Sequence, residues 1–192
     1  MITRLRENFP AHHIVEEDAE QLYVVDFKQI NNGGVELLNA DPGVGHVYLD
    51  NERRVPIFFD GFPENAFVIT PGLHHTQCEC VIFPQACGPD DWIPVIETKY
   101  VYDIENAFRK TNDYPNCMID QIIGAVSYLR EKGIIEPHRR VNAIVSFPTL
   151  IEDFSASFFA GRHSIEDILI DQKIKIRPTN KAIIKSEQRI KI

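Results

Sequence analysis

The chain has 192 residues, 44% of them apolar, and 28 acidic against 20 basic side chains give a formal net charge of −8. That length suits one domain with its own apolar core, and the ordinary apolar and charged fractions exclude wholesale disorder. No apolar run approaches the ~18–20 residues of a membrane span. The N-terminal MITRLRENFPAHH segment has two arginines but lacks the apolar stretch of a secretory signal, so a cytoplasmic protein without membrane contact is expected.

Charge is unevenly spread. Residues 1–100 hold 6 basic and 16 acidic side chains, whereas residues 101–192 hold 14 and 12. From Lys173 to Lys191 seven basic residues face only Glu187. Such asymmetry points to a nucleic-acid or membrane contact, or to an edge hairpin that uses lysine against aggregation. Four cysteines, Cys78, Cys80, Cys87 and Cys117, are too few and too clustered for a secreted disulfide framework and are expected to be reduced. The His74-His75-x-x-Cys78-x-Cys80 run admits a zinc reading, but lacks the usual spacing and second ligand pair.

In chain order, a short acidic helix is predicted around Val15–Leu22. Strands are predicted at Gln21–Phe27, Val35–Leu38, His46–Asp50, Val55–Phe59, Ala66–Thr70, Cys78–Phe83 and Ile93–Tyr100. Turn signals such as Asn31-Asn32-Gly33-Gly34, Asp60-Gly61-Phe62-Pro63 and Gly88-Pro89-Asp90 separate them. A weak helix at Asp103–Lys110 precedes a strong one at Pro115–Lys132. There Met118, Ile119, Ile122, Ile123, Val126 and Leu129 recur at helical spacing and Gly133 closes the end. Val141–Phe147 reads as an apolar strand, and Ser164–Ile170 as a helix with a cap-like start. The end alternates, Lys173, Lys175 and Arg177 against Ile174 and Ile176, then continues through Ala182–Ile184. It reads as a basic-outside, apolar-inside hairpin. The order of elements is that of an α+β protein.

No phosphate-binding glycine loop, Gly-x-Ser-x-Gly elbow or His-Glu-x-x-His helix is present. One constellation does stand out. In the strand around Pro94-Val95-Ile96-Glu97-Thr98-Lys99, Glu97 and Lys99 share a face of an otherwise apolar run. The preceding strand, Cys78-Glu79-Cys80-Val81-Ile82, carries a second carboxylate. A hairpin symmetric about Gly88 sets Glu79 opposite Glu97 and matches apolar residues to apolar ones. Two opposed carboxylates repel, and a hard divalent cation between them turns repulsion into affinity. Lys99 beside them could steady a nucleophilic water or the charge of a phosphate. The plainer alternative is a Glu–Lys cross-strand pair on a wet sheet face.

An acid in one strand, Glu-x-Lys in the next, then an amphipathic helix and an apolar strand resembles the PD-(D/E)XK nuclease superfamily over roughly residues 75–150. Glu79 stands where that family normally has aspartate, and Gln121 falls in the helix where some branches carry a glutamine. The resemblance implies a restriction-endonuclease-like core, a central mixed sheet flanked by helices. Residues 1–72 would form a β-rich extension on a core and basic hairpin spanning 73–192, all within one domain. It further implies Mg2+- or Mn2+-dependent cleavage of nucleic-acid phosphodiesters, as in restriction or anti-phage enzymes. Glu79 and Glu97 would hold the metal, Lys99 would assist the water, and Gln121 would orient substrate or lysine. Lys173, Lys175, Arg177, Arg139 and Arg140 are the candidate substrate contacts, with DNA preferred to RNA and a homodimer compatible with cutting both strands. Two alternatives stand beside this reading: an inactive fold serving as a nucleic-acid or protein binding module, and an unrelated α+β protein whose Glu-x-Lys is structural.

Overall fold

The computed structural model describes residues 1–88, 90–159 and 164–192; Pro89 of the turn read at Gly88-Pro89-Asp90 lies outside them. The chain is an α+β protein built on two sheets. The first has six strands, β1 (Ile14–Glu17), β5 (Ile57–Gly61), β8 (Cys80–Pro84), β9 (Pro94–Thr98), β10 (Val141–Ser146) and β11 (Ile174–Pro178), in spatial order β1-β5-β8-β9-β10-β11. β5, β8 and β9 run as an antiparallel meander, and β9, β10 and β11 are parallel. The parallel step from β9 to β10 needs a crossover, which contains α3 (Ile104–Ala107) and α4 (Tyr114–Glu131).

The second sheet interleaves both ends of the chain. Its strands β2 (Gln21–Asp26), β3 (Val35–Leu38), β4 (Val47–Asp50), β12 (Lys181–Ser186) and β13 (Arg189–Lys191) lie in the order β13-β12-β4-β2-β3. A small ladder joins β6 (Val68–Thr70) to β7 (Leu73–His74).

Two apolar layers hold these parts together. Alternate residues of the first sheet, Val81, Val95, Ala143 and Ile176, meet Met118, Ile122, Ala125 and Leu129 of α4. Leu5 of α1 (Ile2–Asn8) joins this layer. The other parity, Cys80, Ile82, Ile96 and Ile144, meets Leu22, Val24, Leu49, Ala182 and Ile184 of the second sheet. Period-two burial on both faces explains why β8 and β9 read as continuous apolar runs.

Two sequence expectations change. The helix predicted at Val15–Leu22 is strand β1 followed by the start of β2, with Ile14 paired to Asp60 and Glu17 to Ile57. Its acidic run resembles a helix start, but the open edge of β5 and the β-branched Ile14-Val15 pair decide otherwise. The basic stretch 173–184 is not one hairpin. β11 pairs with β10 in the first sheet, while β12 pairs with β4 in the second and forms its hairpin with β13. Asn180 fixes that change of layer, donating to the carbonyls of Phe147 and Leu150 and accepting from Ser146 Oγ at 2.7 Å.

Candidate functional site

The site forms where β9 ends and β8 begins. The ladder pairs Cys80 with Ile96 and Val81 with Val95, the register anticipated from the sequence. One step further the pattern loosens, because the Glu79 N–H donates to Ile96 O at 2.9 Å. Cys78 and Val81 both enter the helix-side layer while Cys80 enters the other, so the extra residue re-aims Glu79 as a bulge does. Glu97 lies between Val95 and Lys99 on the helix side and has no exposed surface.

Two lysines meet the two carboxylates. Lys99 Nζ lies 2.6 Å from Glu97 Oε1. Lys28, which opens α2 (Lys28–Asn31), sits against Glu79 Oε2. Glu97 Oε2 is buried without a hydrogen bond, and Glu79 Oε2 has only the lysine contact. Burial pushes the Glu97 carboxyl up to about 8; the Lys99 ammonium opposes that push and the Glu79 charge adds to it. Glu79 is raised too, first by burial, with Lys28 opposing and Asp26 adding. For both lysines burial works against the charge, yet the surrounding carboxylates leave Lys28 and Lys99 net raised and charged.

The sequence reading missed the means by which Lys28 arrives. Asp26, fully buried at the end of β2, accepts from Lys28 N at 3.0 Å and from Gln29 Nε2 at 2.6 Å. The Gln29 side chain then docks on the end of β9, donating to Thr98 O at 3.3 Å and accepting from Tyr100 N at 3.2 Å. Tyr100 closes the joint, its hydroxyl donating to Gly45 O and accepting from Asp26 N. The only sequence signal was the Asp26-Phe27-Lys28 step out of an apolar strand into the Asn-Gly turn.

A cavity of about 190 Å3 opens over Glu79, lined by Lys28, Glu64, Gln77, Glu79 and Gln121. Gln121 on α4 donates to Gln77 O at 3.1 Å, so it buttresses the chain leading to Glu79 and makes no bond to Lys99. Gly124 lets α4 approach the same segment: a Cβ there would lie 1.9 Å from Thr76 Oγ1.

The basic residues proposed as substrate contacts lie elsewhere. Ile174 and Ile176 face the helices, so Lys175 and Arg177 project from the face of the first sheet opposite to Glu97. Lys173 caps α6 (Ile165–Gln172) in a left-handed conformation and donates to Ile170 O at 2.7 Å. Arg139 is committed to the turn before β9, donating to Gly88 O at 2.6 Å and Asp91 O at 2.9 Å. Arg140 and Lys173 line a hollow there, at the end of β9 opposite to Glu97. The structure brings none of these five to the carboxylates.

Among the described residues no three His, Cys, Asp or Glu side chains converge on a metal position. The Cys/His zinc reading finds no support, since Cys78 and Cys80 are buried and burial holds both thiols well above their ordinary range. Among the described residues no helix is long and apolar enough to cross a membrane. Comparison with protein-family models, with curated proteins and with solved structures finds no match.

Proposed function

We propose that the chain is a cytoplasmic phosphodiesterase acting on nucleic acid, with Glu79, Glu97 and Lys99 at its centre. The observation that carries this reading is a pair of buried carboxyl groups: Glu97, joined to Lys99 through one oxygen and without a hydrogen bond on the other, and Glu79, which lines an open cavity. The meander β5-β8-β9, the crossover through α4 and the parallel β10 supply the element order of the PD-(D/E)XK resemblance, with Glu79 and Glu97 on neighbouring strands.

Two hard oxygen donors with unfilled lone pairs fit Mg2+ or Mn2+, leaving positions for water and phosphate oxygens. Glu79 and Glu97 would hold that ion, which supplies Lewis-acid polarisation of the phosphate and an acidified water. Lys99, steadied by Glu97, offers its ammonium to the charge that develops on a phosphate oxygen. Gln121 sets the position of Gln77 and thereby of Glu79. A homodimer that cuts both strands of DNA belongs to the same proposal.

A second reading is favoured by one observation: Lys28 already neutralises Glu79. If both carboxylates are permanent partners of lysine, the chain is a binding module without hydrolytic activity. Mn2+ titration followed by electron paramagnetic resonance separates the two. The hydrolytic reading expects one saturable Mn2+ site that weakens at least tenfold in Glu97→Gln and in Glu79→Gln. Equal Mn2+ binding by wild type and both variants overturns it and leaves the module.

A further inference from the structure

The outer face of the second sheet carries an aromatic and basic arrangement that the acidic cavity does not use. Leu22, Val24, Val47, Leu49, Ala182 and Ile184 point inward, so the alternate residues point out. Pairing places Lys181 beside Tyr48 and Tyr48 beside Tyr23, one row across β12, β4 and β2. Lys181 Nζ lies 5.0 Å from the Tyr48 ring centre, and the Tyr48 and Tyr23 rings are 5.4 Å apart. Tyr23 is nearly buried and backed edge-on by His46 at 4.8 Å, whereas Tyr48 is half-buried with its ring partly open.

Further along the same face, Arg53, Lys185, Ser186, Arg189 and Lys191 line a hollow of about 400 Å3. Its lining contains no acid. Acids stand close by: Glu187 in the β12–β13 turn, Glu52 next to Arg53, and Asp50, which lies 4.0 Å from Lys181. Burial first, then the charges of Asp50 and Glu52, push the Tyr48 hydroxyl up. Lys181 and Lys185 are four residues apart on one strand, about 13 Å. A protein of net charge −8 thus sets Lys181 against the half-buried Tyr48 ring and four further cations around the hollow beyond it. Edge protection accounts for lysine on β13. It does not account for Arg53, which comes from the separate turn after β4, nor for tyrosines on the inner strands.

We infer that this face binds single-stranded nucleic acid: Tyr48 receives an unpaired base, and the hollow receives backbone phosphates. Stacking on an aromatic ring beside a basic groove holds single strands without sequence readout. A duplex hides its base faces, so it would meet the cations alone. The hydrolytic reading is not needed here, because the face lies on the far side of the second sheet and requires no metal.

Fluorescence anisotropy with labelled oligo(dT), on the full chain in EDTA, tests the inference. Wild type is expected to bind oligo(dT) more tightly than a duplex of equal length. Tyr48→Ala should weaken that binding about tenfold or more, with Tyr48→Phe retaining it. Four phosphate contacts on a single strand predict a log–log salt slope near −3. Lys185→Glu with Arg189→Glu should reduce both slope and affinity, while Lys110→Glu, an exposed charge reversal between α3 and α4, leaves them unchanged. Three results overturn the inference: duplex binding as tight as oligo(dT), Tyr48→Ala indistinguishable from wild type, or a loss of binding in Lys110→Glu equal to that of the double reversal. Mn2+ binding can fail while oligo(dT) binding succeeds, and the reverse, so the two proposals stand or fall separately.

Discussion

Lys28 follows strand β2 of the second sheet and Glu79 precedes strand β8 of the first, yet their side chains form an ion pair in the lining of the acidic cavity. The pair exists because Gln29 stitches α2 to the end of β9, so the second sheet helps to build a site whose carboxylates sit on the first.

Removing one partner leaves a largely buried charge uncompensated, which costs about 3 kcal/mol, whereas removing both is milder. Lys28→Ala should therefore lower the urea unfolding free energy by roughly that amount. The double variant Lys28→Ala with Glu79→Gln should recover part of it. Strictly additive losses would show that the two side chains are not coupled.

Stability should fall as pH rises. The Glu97 carboxyl keeps its proton in the folded chain to about 8, against 4.5 for the ordinary group. Between those values the folded state binds a proton that the unfolded state has released, so rising pH favours unfolding. Asp60, raised by burial although His12 opposes, acts in the same sense from its ordinary 3.8 upward. Lys28 and Lys99, being raised, lose their contribution only above 10.5. Urea midpoints measured from about pH 5 to 8 should decline, and Glu97→Gln should flatten the decline. A wild-type midpoint that rises over this range would contradict the burial of Glu97.

Gly124 should resist substitution despite lying within a helix. Alanine gains about 1 kcal/mol of helix propensity there, but its Cβ would meet Thr76 Oγ1 at 1.9 Å and Thr76 O at 3.1 Å. Overpacking of this kind costs typically ~1–3 kcal/mol. A net loss of stability for Gly124→Ala by thermal unfolding is expected, and a gain would show that Thr76 yields freely.

The joint at Gln29 gives a local prediction. Gln29→Leu removes the acceptor of Tyr100 N and a donor to Asp26 and Thr98 O. Each lost partner in a part-buried setting costs about 1–3 kcal/mol. Hydrogen exchange at the Tyr100 amide should accelerate while amides in β10 stay protected. Unchanged exchange would mean that α2 is held by other contacts.

What the sequence disclosed and what it hid have different physical causes. Pro115–Lys132 was legible because its apolar spacing is set by one face against one sheet, and α4 differs from the expected span by one residue at either end. The register of β8 against β9 was legible because apolar residues match when Val81 meets Val95, but the loosening one step on, where Glu79 N donates to Ile96 O, was not. Lys28 was hidden because its partner comes through Gln29 and Tyr100, contacts that no periodicity reports. Lys175 and Arg177 misled for a related reason. Alternation tells that one face of β11 is apolar, but not which layer that face meets or that Pro178 to Asn180 leads into the other sheet.

The central claim is that Glu79, Glu97 and Lys99 form a hydrolytic centre, and strand cleavage tests it most directly. Purified wild type, Glu97→Gln and Lys99→Ala are incubated with plasmid DNA and with single-stranded DNA and RNA in Mg2+ or Mn2+, with EDTA as control. The account predicts metal-dependent cleavage by wild type that falls by at least a hundredfold in both variants, a loss of about 2.7 kcal/mol in transition-state stabilisation. Cleavage that persists undiminished in both variants, or that never occurs with any of the three substrates, would contradict it.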